Sequence, residues 1–174
     1  MQEYEFTLKF KFPDASITPD SYVDHLGAGG CDDALIGVGQ QGRIALNFNR
    51  QAESALNAVC SAIEDVKRVI PDAVLIEATP DFVGLSDIAD VLGFSRQNMR
   101  NLMMNNSISF PLPIHEGRSA IWHLSTVLSW CREGNRYQID DSIQEVAEAN
   151  MQLNIAKEIT NIDPLMSPRI STVL

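Results

Sequence analysis

The chain has 174 residues, 45% hydrophobic and 21% charged, with a formal net charge of −10, a composition that suits a globular fold with one core or two small ones. No apolar run approaches the roughly eighteen residues of a membrane span, and the acidic, alternating start Met1-Gln2-Glu3-Tyr4-Glu5 is unlike a secretory leader. Cys31, Cys60 and Cys131 are odd in number and widely spaced, which argues against a disulfide framework or a metal-ligand pair and makes the cytoplasm the expected compartment.

The negative charge is uneven. Residues 1–78 carry six basic and twelve acidic side chains, residues 79–136 five of each, and residues 137–174 two basic and six acidic. A polyanionic partner would be repelled by both flanks and least opposed by the middle segment.

Tyr4, Phe6, Leu8, Phe10 and Phe12 alternate with Glu5, Thr7, Lys9 and Lys11, the period of a half-buried strand. Thr18-Pro19-Asp20 opens a short helix expected to reach Leu26, ended by Gly27, Gly29 and Gly30. Ala34–Val38 and Arg43–Phe48 read as strands joined through Gly39-Gln40-Gln41-Gly42. From about Gln51 to Ile70, Ala55, Val59, Ala62, Ile63 and Val66 recur at helical spacing. Pro71-Asp72 stops that helix, and Val74-Leu75-Ile76 is a last strand. The order β-α-β-β-α-β is that of a ferredoxin-like α+β unit over residues 1–78, a fold shared by many functions. Its glycine groups lack the strand, loop and Lys-Ser/Thr helix of a phosphate site. Asp32-Asp33 reads as a solvated turn, and His25 as a surface or boundary residue rather than a ligand.

Residues 85–102 carry the most chemistry. Ser86 is placed to cap a first helix whose inward residues are Ile88, Ala89 and Leu92. Gly93 supplies a tight turn, and Phe94 fills the angle between helices. Ser95 caps a second helix anchored by Met99, Leu102 and Met103. Arg96, Gln97, Arg100 and Asn101 then face outward, with Asn98 close to that face. This is the layout of a helix-turn-helix whose second helix enters the major groove. Arginine can donate two bonds to guanine, and Asn or Gln can pair with adenine; Arg96 or Arg100 can instead hold phosphate beside the amides at Ser95. The competing reading is a plain helical hairpin with a solvated polar face.

Two short extended pieces around Glu116-Gly117-Arg118 suggest a wing with Arg118 at its tip, oriented by Glu116. His115 beside it is a candidate phosphate contact or proton-sensitive group, with plain surface exposure as the alternative, and His123 is expected to serve structure next to Trp122. Ser125 is placed to cap a helix that buries Val127, Leu128 and Trp130. Trp122 and Trp130 are core residues, and Cys131 has no base near it in sequence.

Leu-Ser-Asp-Ile-Ala-Asp-Val-Leu-Gly-Phe-Ser-Arg at 85–96, Phe-Pro-x-Pro at 110–113, Arg118, Trp122, Val127 and Trp130 together resemble the MerR-like winged helix-turn-helix domains of phage excisionases and AlpA-type regulators. The resemblance spans residues 83–132. It implies a winged helix-turn-helix over 79–136 and site-specific, non-enzymatic binding of double-stranded DNA, often by dimers. Ser95, Arg96, Gln97, Asn98, Arg100, Asn101, His115 and Arg118 are the expected DNA-binding residues, with no cofactor, no metal and no catalytic group. The chain departs from a short excisionase in its added N-terminal unit and its acidic total.

Gly134-Asn135-Arg136 is expected to break the preceding helix. Over residues 137–174 a further helix runs from about Asp140 to Thr160, capped by Asp140 or Asp141. Ile143, Val146, Ala147, Asn150, Leu153, Ala156 and Ile159 form its stripe, for packing within the chain or against a second copy with Asn150 setting the register. Asn161 to Leu174, with Pro164 and Pro168, reads as an irregular tail, either disordered or used to grip a partner. The leading function is thus a DNA-binding regulator or accessory protein acting as a homodimer or higher oligomer. A protein-interaction adaptor and a small-molecule sensor using the first unit are the alternatives.

Overall fold

The computed structural model describes residues 1–14, 16, 18–37, 41–133 and 137–174. Its first strand, β1 (Gln2–Lys11), follows the aromatic alternation: Tyr4, Phe6, Leu8 and Phe10 are all buried on one face, and Phe12 follows just beyond. A 3-10 turn at Pro19–Tyr22 leads into helix α1 (Val23–Ala28). Strands β2 (Ala34–Gly37) and β3 (Arg43–Ala52), helix α2 (Ala55–Val69) and strand β4 (Val74–Thr79) complete the unit. The four strands pair antiparallel in the order β2-β3-β1-β4.

Register explains the core. Phe6 faces Phe48, Leu8 faces Leu46 and Phe10 faces Ile44 across β1 and β3, so period-two side chains from both strands share one surface. The Phe6 and Phe48 rings stack at 5.4 Å. Helix α2 covers this surface with Ala55, Ala58, Val59, Ala62 and Val66; its small alanines permit close approach. The Ser54 hydroxyl caps it by accepting from the Asn57 N–H at 3.2 Å. The opposite sheet face carries Glu3, Glu5, Thr7, Lys9 and Lys11 and is exposed or half-exposed.

A second hydrophobic cluster forms from β5 (Phe82–Val83), α3 (Leu85–Val91), α4 (Arg96–Asn105), β6 (Trp122–His123) and α5 (Leu124–Glu133). Val83, Ile88, Met99, Phe110, Trp122, Leu124, Val127 and Leu128 are buried in it. β5 and β6 pair antiparallel through Phe82–His123 and Val83–Trp122. The molecule is therefore an α+β fold with two small antiparallel sheets and several helices.

Helix α6 (Asp141–Ile159) joins the two clusters. Val146 and Ala149 lie in the first, while Ala147 lies in the second. Neighbouring helical residues diverge by about 100°, so one rod buries two faces at once. Its polar side chains reach the linker after β4. Asn154, fully buried, accepts from the Ala78 N–H at 3.0 Å and donates to the Ala78 carbonyl and to Asp81 Oδ2, each at 2.8 Å. Asn150 Nδ2 donates to the Pro80 carbonyl at 3.2 Å. Buried Asp81 also pairs with His123 Nδ1 at 2.7 Å.

Several sequence expectations change. β3 continues past Phe48 to Ala52, because Arg50 occupies the next inward slot. Its guanidinium bonds Asp33, Asp65, Ser61 and the Gly30 carbonyl and lies over the Phe48 ring at 4.9 Å. Asp33 is thus an ion-pair partner rather than a solvated turn residue. The preceding short helix runs on through Gly27 to Ala28, and the second helix starts at Ala55 rather than Gln51. Asn150 and Ala147 are buried within the same chain, whereas Ala156 and Ile159 are exposed; Asn150 therefore sets no intermolecular register. The tail is not wholly irregular, since Ser167–Val173 forms helix α7. The expected Gly39-Gln40 part of the hairpin and the Gly134-Asn135-Arg136 break lie outside the described residues.

Candidate nucleic-acid interface

Helix α3 begins after an extended Gly84, whose N–H donates to the Asp87 carboxylate at 2.7 Å. Ser86 is inside the first turn, so the cap is supplied from Asp87 instead. At the other end, Phe94 N–H bonds the Ala89 carbonyl at 2.7 Å and Gly93 N–H bonds that of Asp90 at 3.2 Å. This is a Schellman closure, with Gly93 at φ 68°. A Cβ on Gly93 would meet nothing within 4 Å, so glycine is required there by conformation rather than by space. Phe94 packs edge-on to Tyr137, centroids 4.9 Å apart.

Ser95 then caps α4, accepting from the Asn98 N–H at 3.2 Å. Met99 is fully buried, with Leu102 and Met103 half-buried beside it. At about 100° per residue, Gln97, Arg100, Asn101 and Met104 point away from that anchor, and Arg96 and Asn98 lie on the two flanks. All six are exposed, as is Ser95. Gln97 Nε2 donates to Asn101 Oδ1 at 3.0 Å, leaving the Gln97 oxygen and the Asn101 amide hydrogens directed to other partners. Met104, 59% exposed, completes the ridge; sequence reading passed over it, although its spacing from Arg100 and Asn101 was the signal.

The segment after α4 is held at its base. Phe110 contacts Trp122 and Trp130 edge-on, at 6.0 and 5.1 Å, and Trp122 Nε1 donates to the Pro111 carbonyl at 3.0 Å. Beyond Pro113 the chain makes a hairpin closed by Ile114 N–H to the Ile121 carbonyl at 2.8 Å and Ile121 N–H to the His115 carbonyl at 3.0 Å. Its tip, residues 115–119, is exposed and includes Arg118. The His115 imidazole lies over Gly117, where a Cβ would come within 2.5 Å of Nε2 and the exposed ring would have to turn aside. β6 pairs with β5 rather than with this hairpin, so the wing is shorter than the sequence suggested. Ser125 is not a helix cap. It lies in the first turn of α5, buried, and donates to the Met151 sulfur.

Arg96, Arg100 and Arg118 have no ion pair among the described residues. By contrast, Arg50, Arg68 and Arg132 each bond an aspartate. The α4 ridge and hairpin tip therefore present three cations and several amides whose bonding capacity is directed to solvent. Such groups can bond base edges or phosphate oxygens.

Two further features bear on alternative chemistry. A groove of about 900 Å³ lies between the polar sheet face and α3, lined by Glu5, Lys9, Glu77, Leu92, Tyr137 and others. Its charged groups are largely engaged: Lys9 pairs with Glu77 at 2.9 Å, and Asp87 and Asp140 accept from backbone N–H groups. No cluster of three or more His, Cys, Asp or Glu side chains suited to a metal occurs among the described residues. No helix among them is long and apolar enough to cross a membrane. No protein-family profile matches the chain, and neither a curated protein nor a solved structure is significantly similar to it.

Proposed function

We propose that this chain is a sequence-specific binder of double-stranded DNA, in which α4 enters the major groove and the 114–121 hairpin acts as a wing on the backbone or minor groove. On this reading residues 79–136 form a winged helix-turn-helix of the MerR-like and excisionase type. Residues 1–78 form a ferredoxin-like unit, consistent with the strand order β2-β3-β1-β4. The observation that carries the reading is the exposed ridge of Gln97, Arg100, Asn101 and Met104 opposite buried Met99.

Each residue type has a matching target. Arg100 donates two bonds to guanine O6 and N7, Gln97 and Asn101 suit adenine, and Met104 gives an apolar contact for a thymine methyl. Arg96 and Asn98 on the flanks, Ser95 at the helix start, and Arg118 and His115 at the wing tip are placed for phosphates, which position the protein without reading sequence. The middle segment has no net charge and the whole chain carries −10, so binding is expected to be weak for one copy and to fall steeply with salt.

Selection of bound duplexes from a random library at low salt, followed by mobility shifts, tests the proposal. An enriched site is expected, with affinity reduced about 5- to 150-fold by Arg100→Ala, the equivalent of about 1–3 kcal/mol for a bidentate base contact. Arg118→Ala should weaken all duplexes alike. Failure to enrich any sequence, or an Arg100→Ala protein that binds as tightly as the parent, would overturn it.

A further inference from the structure

The last turn of α6, the connection after it and α7 expose more apolar side chain than any other stretch of comparable length. Ile159, Ile162, Leu165, Met166, Ile170 and Val173 are all exposed, Leu165 to 90% and Val173 to 77%. The backbone is nevertheless well organised. The Asp163 carboxylate accepts from Leu165 N–H at 2.8 Å, and its carbonyl accepts from Met166 and Ser167 N–H, both at 3.0 Å. Pro168 sits in the first turn of α7, where its missing N–H is no loss. Yet no residue of α7 is buried, and a helix this short does not persist in water without tertiary contacts. Met166, Ile170 and Val173 lie at spacings of four and three, one stripe along the helix.

We propose that this stripe is one half of a two-fold interface between two copies of the chain, with α7 packed antiparallel against its equivalent. An axis passing near residue 168 sets Met166 against Ile170 of the other copy, and the same contact recurs by symmetry. It also brings Arg169 within one helical turn of the other copy's Asp163. Those are the two charged side chains from Ile159 to Val173, one of each sign. The surface is thus neutral and complementary to itself, in a chain whose net charge of −10 disfavours contact between copies elsewhere. A strongly charged partner would find nothing to neutralise. The inference does not depend on DNA binding and is tested without DNA.

Sedimentation of the full-length chain across the micromolar range should give a dimer. Ile170→Asp, altering a side chain that is not buried within one copy, should raise the dissociation constant at least tenfold while leaving the near-UV circular dichroism unchanged. Arg169→Asp should weaken self-association, since it sets like charges within one helical turn of each other across the interface and leaves the Asp163 turn intact. Amide exchange over residues 164–173 should slow as concentration rises, while exchange in α4 stays constant. A parent chain that remains monomeric, including one that instead attaches α7 to vesicles or to another protein, would overturn the proposal. So would a dimer indifferent to Ile170→Asp, or one whose exchange over 164–173 does not depend on concentration.

Discussion

Replacing Asn154 with leucine removes three hydrogen bonds at a fully buried position while nearly conserving volume. The Ala78 N–H and carbonyl and Asp81 Oδ2 all lose the partner they have in the native protein. Each buried polar group left without a bond costs about 1–3 kcal/mol, more toward the upper end for a carboxylate. Asp81 retains His123, and water entering beside the linker relieves part of the loss, so a net destabilisation of about 4 kcal/mol is expected. For a chain of this size that corresponds to a melting temperature lower by about 8–16 °C. Urea titration followed by far-UV circular dichroism and by tryptophan fluorescence is the informative assay. Both tryptophans belong to the second cluster, whereas Asn154 bonds the strand β4 of the first. Because α6 packs on both, the two signals should shift together. A loss below about 1 kcal/mol, or a fluorescence midpoint that stays put while the dichroism midpoint falls, would refute the idea that this helix couples the two cores.

Gly93→Ala should cost about 1–2 kcal/mol, because a Cβ is disfavoured at φ 68° even with open space around it; a melting temperature lowered by about 2–8 °C checks it. Thiol labelling near pH 8 should spare Cys31 and Cys131, which are buried, and modify half-buried Cys60 slowly. Burial, with nearby Asp65 adding to it, pushes the Cys31 thiol up to about 11, so its thiolate population stays negligible until the pH nears that value. Rapid labelling of Cys31 in the folded protein at pH 8 would contradict its placement.

What the sequence disclosed was local. The aromatic alternation of β1, the Ala55-to-Val66 helical spacing and the Gly93-Phe94-Ser95 turn are each written within a dozen residues, and each appears where the period puts it. The α4 face was legible for the same reason, since one buried methionine fixes the outward direction of its neighbours. The misses are long-range. Arg50 falls just past the expected end of its strand at Phe48, and only Asp33 and Asp65, from a loop and a helix, explain why it turns inward. Asn150 looks like a polar interruption of an apolar stripe, and Asn154 falls outside that stripe, until the peptide groups of residues 78–80 receive them. The helix caps of α3 and α5 were assigned to the nearest serine, but Asp87 serves the first, and Ser125 faces Met151 of α6 instead. Apart from Asp87, which lies three residues from the Gly84 N–H it accepts from, none of these partners is encoded near the residue it satisfies.

The side-chain amide of Asn154 lies along the outer margin of β4, donating and accepting at one peptide much as a further strand would. At Ala78 that margin is therefore already occupied, which removes one rung from the ladder that an extended segment of another molecule would need along β4. The opposite margin is the four-residue β2, too brief to nucleate much. A single asparagine on a distant helix thus interrupts the longer of the two free rims of the four-stranded sheet.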